Sequence, residues 1–454
     1  MTREELPPIS NEITLRRIRV DGFKSLRDVE LEFSGRNPLV LVGANGAGKT
    51  NVIELFLFLR RALHDELRRR PYAPHAEWGG PRSLTWEGEA RPIQVRLEYE
   101  LRFRRGEKEA RWSLVYDVSF APDASFSTIM PVHERIEIPE LSYVIERRGT
   151  ELRITMPTSS DALKALLALD EGINEANCKA GMCTLVKSLG KGRDDVPAVL
   201  ASPTVVFPIS YRGEHHAIYF VIFANGDSAA IPFPRNTVNV GIADVFSLLN
   251  EWFSRIIVIR QIDYGAAKWP HNRYPERLLR PRGENLAEAL YEVMRSPEGR
   301  ERVEAALATL FPWLEVRVEF NEYGQIGLVF YERRGDRHIR LYPAMVPDGV
   351  LKLLALIAAV AMRPSVLAVD EIENSLHAAI IDYVMRELED LEDPVIIATH
   401  SPVVVDLAGP ERTLLLSRGP DGATRVEKLA PRKLWQRIRE EGIALSDYYI
   451  HAAT

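Results

Sequence analysis

The feature that most constrains this chain is a glycine-rich run, GANGAGKT, at residues 43–50. It follows the apolar stretch PLVLV and precedes another, NVIELFLFL, so the sequence predicts a strand, a tight loop and a helix. Glycines let backbone N–H groups close around a phosphate, and the start of a helix favours anions. The spacing GxxxxGK[ST] is therefore typical of a phosphate-binding loop. The alternative is a chance match in a glycine-rich turn.

Two residues of the loop carry chemistry of their own. We expect Lys49 to reach the β- and γ-phosphates and the hydroxyl of Thr50 to hold Mg²⁺. The full set of candidate phosphate-binding residues is Gly43, Asn45, Gly46, Ala47, Gly48, Lys49, Thr50 and Asn51.

A second apolar stretch, SVLAVDE at residues 365–371, ends in two acids. Adjacent carboxylates at the end of a buried strand are costly unless a cation or a proton-transfer role compensates. Asp370 suits the coordination shell of Mg²⁺, and Glu371 suits the polarisation of an attacking water. The alternative is an ordinary N-cap for the helix that follows.

A third stretch, PVIIATH at residues 394–400, ends in a histidine. A lone histidine at a strand end is usually structural, and this alternative stays open. His400 follows Asp370 by 30 residues and by one predicted helix, so the two strands should be neighbours in a sheet. That position would let His400 form a hydrogen bond with a terminal phosphate.

The remaining pattern indicates the fold. Helical and apolar strand segments alternate in the last third of the chain, which favours a parallel α/β sheet. Residues 13–33 read as a β-hairpin and residues 93–118 as antiparallel strands, whereas residues 160–190 read as helical. No heptad pattern persists over three repeats, so we expect no long coiled coil.

These motifs together resemble the ABC-type ATPases of the RecF, SMC and OLD group. The matching segments are DGFKSL before the loop, GANGAGKTN, GENLAEAL at 283–290, VLAVDEIENSLH and IATHSP. The resemblance implies an α/β fold, namely an ABC-type P-loop NTPase head with a mixed sheet, an antiparallel β-lobe and an inserted α+β subdomain. It also implies ATP and Mg²⁺ as cofactors.

The resemblance assigns roles to individual residues. Glu371 would be the catalytic base, with Lys49 and His400 as the other catalytic residues, and Lys24 of the DGFKSL turn would contact the nucleotide. Residues 374–377 would meet a second subunit. The family's signature loop corresponds to residues 346–352, where Asp348 and Gly349 would contact the ATP of a partner chain. Pro347 stands where the family has serine, so closure should persist while hydrolysis is slow.

From these assignments we predict four regions. They are an N-terminal ATPase lobe at 10–120, an inserted subdomain at 121–244, a C-terminal ATPase lobe at 245–425 and a helical tail at 426–454. Because the signature and the loop act in trans in this group, a homodimer or a higher oligomer with ATP between the chains is expected.

The biological role is open between three hypotheses. The first is an ATP-driven switch that acts as the sensor and regulator of a separate effector, a nuclease or toxin, in bacterial antiviral defence. PARIS-like and Septu-like systems have ATPase subunits of this kind. It is favoured because the sequence contains no DxD tripeptide of the kind that a TOPRIM nuclease uses, so a nuclease would be a separate polypeptide. The second is a RecF-like repair ATPase that binds DNA, and the third is a scaffold that does not hydrolyse ATP.

Charge bears on the DNA hypothesis. The formal net charge of −6 argues against nucleic-acid binding through overall charge, although arginines cluster at 60–61, 68–70, 102–105 and 111. Either these arginines form a groove for a phosphate backbone or they are ordinary surface pairs. The most apolar run, residues 350–362, is too short to span a bilayer and contains Lys352. We therefore expect a cytoplasmic protein without a membrane segment.

Overall fold

The computed structural model describes residues 9–65, 72–157, 173–179, 182–188, 205–209, 216–222, 228–234, 241–274 and 277–429. The chain divides into two units. Unit 1 comprises Met1–Ser34 and Phe58–Ser254, and unit 2 comprises Gly35–Leu57 and Arg255–Thr454. Both units thus contain two separate segments of the sequence.

A nine-stranded antiparallel sheet dominates the described part of unit 1. Its spatial order is β2-β1-β4-β5-β6-β7-β8-β10-β9, with strands numbered along the chain. The strands are β1 (Ile9–Asp21), β2 (Val29–Glu32), β4 (Ile93–Arg105), β5 (Lys108–Pro122), β6 (Ile129–Ile138), β7 (Tyr143–Arg148), β8 (Glu151–Pro157), β9 (Ile173–Lys179) and β10 (Met182–Ser188). The predicted hairpin at 13–33 and the strands at 93–118 are confirmed.

Alternation of apolar and polar residues produces this sheet. Along β4, buried residues alternate with exposed or half-buried ones, so one face packs inward and the other meets solvent. Helix α2 (Ile242–Ser254) belongs to the same unit. The ring of its Trp252 lies 5.0 Å from that of Tyr99 on β4, in an edge-to-face arrangement.

One ion pair lies inside this sheet. Glu134 on β6 is fully buried, and its carboxylate accepts hydrogen bonds from the hydroxyl of Tyr116 (2.7 Å) and from Nε of Arg147 (2.8 Å). The remaining guanidinium nitrogens donate to the carbonyl oxygens of Pro131 and Gly149. Since every charged group has partners, the pair fixes the register of β6 and β7 without leaving an unpaired buried charge.

A second, three-stranded sheet of unit 1 contains β11 (Val205–Ile209), β12 (His216–Ile222) and β13 (Ser228–Pro234), in that order. The helical prediction for residues 160–190 is wrong where it can be examined, because residues 173–179 and 182–188 are the strands β9 and β10. The rest of that segment lies outside the described residues, as do residues 430–454 of the predicted helical tail, and residues 424–428 form a strand.

Unit 2 is built on a six-stranded sheet in the order β14-β18-β19-β3-β20-β21. All neighbours are parallel except the last pair, so the predicted parallel α/β sheet is confirmed. The strands are β3 (Leu39–Gly43), β14 (Ile256–Ile259), β18 (Val366–Asp370), β19 (Val395–Ala398), β20 (Thr413–Arg418) and β21 (Thr424–Lys428).

Seven of the described α-helices begin in unit 2. They are α1 (Lys49–Arg60), α3 (Tyr264–Lys268), α4 (Leu286–Met294), α5 (Pro297–Leu310), α6 (Asp348–Ala361), α7 (Ala378–Glu389) and α8 (Pro402–Ala408). Helix α6 is apolar on all sides, and its residues 350–360 are buried in the core of this unit.

A small antiparallel sheet completes the unit. It consists of β15 (Leu314–Phe320), β16 (Ile326–Arg334) and β17 (Arg337–Leu341). Among the described residues, no helix has the length and apolar content needed to cross a membrane.

Candidate functional site

The glycine-rich loop joins strand β3 to helix α1, as predicted, and it lies in unit 2. Gly43 has a φ of 150°, and a Cβ at this position would lie 2.0 Å from the carbonyl oxygen of Leu416 on the adjacent strand β20. Only glycine allows β20 to pair so closely with the end of β3. Gly46 and Gly48 also have positive φ, at 80° and 104°. The backbone therefore makes a tight turn directly before the helix N-terminus.

Lys49 begins α1, and its side chain folds back over this turn. Its ammonium donates hydrogen bonds to the carbonyl oxygens of Gly43 (2.8 Å) and Ala44 (3.2 Å), and the residue is only 7% exposed. Burial lowers its pKa, and the nearby carboxylates of Asp370, Glu373 and Glu371 oppose that shift. The lysine is thus a cation held between the loop and three acids.

The Thr50 hydroxyl and the Asp370 carboxylate meet in the fold although 320 positions separate them in the sequence. Asp370 ends β18, and the hydroxyl of Thr50 donates a hydrogen bond to its carboxylate. Burial raises the pKa of Asp370, while the bond from Thr50 lowers it. A hydroxyl and a carboxylate beside a phosphate-binding loop are oxygen ligands of the kind that Mg²⁺ prefers.

These residues fit the predicted nucleotide and metal. Among the described residues, no cluster of three or more histidine, cysteine or acidic side chains could hold a metal by itself. Mg²⁺ in this kind of site is bound by one or two protein oxygens together with substrate phosphates, so a self-contained cage is not required. Thr50 and Asp370 therefore supply the protein's share of such a site.

Glu371 follows directly in an unusual conformation. Its φ is 49°, its side chain is exposed, and its carboxylate accepts a hydrogen bond of 2.6 Å from Nδ2 of Asn374. Its backbone N–H donates to the carbonyl oxygen of Ala398 at the end of β19. A non-glycine residue in the left-handed region is costly, and such strain is concentrated at functional sites. The turn thus presents an accessible, oriented carboxylate beside Asp370.

His400 lies where the sequence predicted it, just after β19, the immediate neighbour of β18. Its side chain is exposed, and its backbone N–H donates to Glu373. Glu373 was not among the predicted site residues. The signal that could have found it is modest, since it is an acid two residues beyond Glu371 in a short polar loop.

Most of the remaining loop residues lie on the same turn. Ala47 is buried, and its N–H donates to the carbonyl oxygen of Ala44, whereas Asn45 is exposed and Asn51 lies in the first turn of α1. Lys24 belongs to unit 1, has a φ of 49° and places its ammonium 5.8 Å from the ring centroid of Trp78. Its contact with a nucleotide stays a prediction.

The predicted signature forms the start of α6. Pro347 is the N-cap, with a φ of −59° and a ψ of 142°, and the first helical residue is Asp348. The carboxylate of Asp348 accepts a hydrogen bond of 2.7 Å from the ammonium of Lys268. Gly349 lies so close to the loop after β18 that a Cβ would be 2.5 Å from the carbonyl oxygen of Ser375.

A buried lysine that was not among the predicted site residues lies one turn further along α6. Lys352 is 1% exposed, and burial lowers its pKa to about 8, against the opposing effect of Glu373, Asp370 and Glu371. It is the second cation that the acids around β18 influence.

Several arginines of the clusters have acidic partners where the structure describes them. Glu109 forms ion pairs with Arg104 (3.1 Å) and Arg111 (2.6 Å), and Arg102 pairs with Glu12 across β1 and β4. Arg60 pairs with Asp65 within the same segment. Residues 68–70 lie outside the described ranges. The exposed face of the sheet is therefore mixed in charge at these positions.

Two family models match the chain. Residues 227–406 match the family described as "AAA domain, putative AbiEii toxin, Type IV TA system", and residues 17–171 match a family described as "AAA domain". Each covers less than half of the sequence. Both descriptions name an AAA domain, and the loop, the two acids and His400 lie at the strand ends where an ABC-type P-loop ATPase is predicted to have them. Membership of the RecF, SMC and OLD-like group stays a prediction.

Three similar solved structures are distant from this chain in sequence. The head of Smc bound to the C-terminal winged-helix domain of ScpA is 14% identical with a TM-score of 0.40, covering 93% of this chain and 99% of that one. The Pyrococcus furiosus Smc head with an extended coiled coil is 14% identical with a TM-score of 0.41, and the match covers 95% of this chain and 100% of that one. The Thermotoga maritima SMC head is 13% identical with a TM-score of 0.39, and the match covers 92% of this chain and 100% of that one. No curated protein sequence matches the chain.

Proposed function

We propose that this protein binds and hydrolyses Mg-ATP and uses the cycle as a conformational switch. The observation that carries the proposal is the meeting of Thr50 and Asp370 beside Lys49, with Glu371 and the end of β19 at the same sheet edge. In parallel α/β sheets, ligands bind at the carboxyl ends of the strands, and β3, β18 and β19 all end here.

Each residue has a role in this proposal. Glu371 accepts a proton from the attacking water, and Asn374 orients its carboxylate. Lys49 and His400 stabilise negative charge that develops on the γ-phosphate. Thr50 and Asp370 would hold Mg²⁺, which offsets phosphate charge when it is bound.

The Glu371→Gln variant tests the hydrolytic part. The amide keeps the size of the side chain but cannot act as a base, so we expect phosphate release to fall by about 100-fold or more while ATP binding persists. Lys49→Ala is the matched variant, since it should lose binding as well. Equal hydrolysis by wild type and Glu371→Gln would refute the assignment of the base.

We further propose that ATP is bound between two copies of the chain. In the proposed dimer, Asp348 and Gly349 of one chain face the loop of the other. Two large side chains directly before the signature support a partner surface, because Tyr342 and Met345 are 75% and 66% exposed. The start of α6 itself, at Pro347, is also exposed.

The output of the switch is proposed to be a separate effector, a nuclease or toxin, in bacterial antiviral defence. Support comes from the family that matches residues 227–406, whose description names a toxin of a toxin–antitoxin system. The direct test is to express the chain with and without its neighbouring genes and to measure phage plaques. Protection that requires Glu371 and one neighbouring gene is expected. Direct DNA binding is the less supported alternative, because the hairpin arginines already pair with glutamates.

A further inference from the structure

The carboxylate of Glu373 bridges two neighbouring strands at the proposed ATP site. Its Oε2 accepts a hydrogen bond of 2.7 Å from the hydroxyl of Thr399, and its Oε1 accepts one of 2.6 Å from the backbone N–H of His400. Glu373 itself lies in the turn after β18, whereas its two donors directly follow β19. One side chain therefore fixes the two residues at which the chain leaves the adjacent strand.

The residue it holds is tied to the phosphate-binding loop as well. Thr399 is fully buried, and its backbone N–H donates to the carbonyl oxygen of Leu41 on β3 (3.1 Å). Its hydroxyl accepts from the N–H of Ser401, which is the N-cap of α8. Because Thr399 is anchored on both sides, the Glu373 carboxylate determines the direction in which the chain leaves the sheet at His400.

The two glutamates of this turn have different hydrogen-bond partners. Glu371 accepts from Nδ2 of Asn374, whereas Glu373 accepts from the hydroxyl of Thr399 after β19. Glu373 also contributes negative charge near two buried cations, since burial lowers the pKa of Lys49 and of Lys352 and Glu373 is among the carboxylates that oppose this effect.

We propose that Glu373 is a positioning residue that acts through His400: it aligns the His400 backbone so that the imidazole faces the γ-phosphate. The inference rests on the proposed function, because the alignment of His400 matters only if ATP is hydrolysed here. Glu373 does not touch the reacting atoms in this account.

A double-mutant cycle on kcat tests the inference. Glu373→Ala and His400→Ala should each lower kcat by about 10- to 100-fold, with KM for ATP changed less than about threefold. The double variant should be no slower than the slower single variant, since residues that act as a unit are not additive. Glu392→Ala, at an exposed acid before β19, is the matched control and should keep wild-type turnover.

A conservative variant separates positioning from simple structural support. In Glu373→Gln the amide oxygen can accept from the His400 N–H while the amide nitrogen donates to the Thr399 hydroxyl. This variant should recover most of the kcat that Glu373→Ala loses. Thr399→Val removes one of the two bonds to Glu373, together with the bond from the Ser401 N–H, and should give an intermediate loss.

The outcomes separate the two proposals. If wild type hydrolyses ATP but the losses of Glu373→Ala and His400→Ala multiply in the double variant, the positioning role is wrong and the proposed function survives. An unchanged kcat in Glu373→Ala has the same meaning. If wild type does not hydrolyse Mg-ATP at all, both proposals fail. Should Glu373→Ala not fold, the same cycle run with Thr399→Val in its place decides the question.

Discussion

The same three carboxylates act on the pKa of Lys49 and of Lys352, but the two lysines lie in different surroundings. Lys49 has carbonyl partners in the glycine-rich loop, whereas Lys352 lies inside an apolar helix. Placing an ammonium in such surroundings costs free energy, and the depressed pKa of about 8 measures that cost. The core of unit 2 thus carries a charge that an apolar residue would avoid.

Lys352→Met should therefore stabilise the protein at pH 7, by about 2 kcal/mol, because methionine fills a similar volume without charge. The wild type should gain stability as pH rises from about 8 to about 10.5, since there the unfolded chain keeps the proton that the folded chain has released. The variant should lack this gain. Urea midpoints between pH 7 and pH 10.5 measure both effects.

Lys428→Met is the control for that series, because Lys428 is exposed on β21. It should follow the wild-type pH dependence. A Lys352→Met variant that is less stable than wild type at pH 7, with a parallel pH curve, would contradict the account.

Pro347→Ser is expected to raise the rate of ATP hydrolysis. The N-cap conformation of Pro347 is open to serine, whose hydroxyl can accept a helix N–H and contribute about 1 kcal/mol to the cap. It also restores a donor at the start of the signature helix. Steady-state kcat is the measurement, and Pro347→Ala is the control because it lacks the hydroxyl. Equal kcat for the serine and alanine variants would contradict the proposal that the missing serine hydroxyl at position 347 slows ATP hydrolysis.

At the scale of single residues, the sequence predicted the pair of Thr50 and Asp370 but not the role of Glu373. The spacing of the loop and the two acids after an apolar strand predicted Thr50 and Asp370, because few other patterns put these residue types at strand ends. Glu373 has no such signature. Its role depends on which donors β19 brings within 3 Å, and that distance is a property of the folded sheet.

At the scale of elements, α6 and the loop after β18 are in direct contact through Gly349. Gly349→Ala would gain about 1 kcal/mol of helix propensity, but its Cβ would lie 2.5 Å from the carbonyl oxygen of Ser375. We expect the clash to win, with a net loss of about 1–3 kcal/mol and a displaced loop at residues 374–377. Urea unfolding gives the sign.

The matched control is Gly265→Ala in helix α3, where the nearest atom to a new Cβ is a side-chain oxygen of Asp263 at 3.3 Å. Because this contact is looser than the one at Gly349, Gly265→Ala should cost less stability than Gly349→Ala. If Gly349→Ala proved more stable than wild type, the contact between α6 and the loop would not be a constraint.

The prediction of helices and strands succeeded where the apolar pattern was strong. The apolar runs of β3, β18 and β19 are buried on both faces, which is why they read as parallel strands. Residues 173–179 and 182–188 mix polar and apolar residues without clear alternation, so their pairing in the sheet was not visible. Strand β17 is exposed along almost its whole length and shows no apolar pattern.

At the scale of the whole molecule, surface charge is organised by pairing that the sequence does not reveal. Arg102, Arg104 and Arg111 look like a basic stripe along the chain, but Glu12 reaches Arg102 and Glu109 reaches Arg104 from adjacent strands, and Glu109 also pairs with Arg111 on its own strand. Which carboxylate faces which arginine depends on strand register. The positive charge of these three arginines is therefore partly neutralised, on a chain with a net charge of −6.

The central claim, that ATP closes an interface between two chains, is tested most directly by the mass of the Glu371→Gln protein in solution. Light scattering without nucleotide and with Mg-ATP should give one chain and then two or more, because the variant binds ATP without releasing phosphate. Lys49→Ala combined with Glu371→Gln should stay at one chain throughout. A single-chain mass for Glu371→Gln with ATP demonstrably bound would contradict the account.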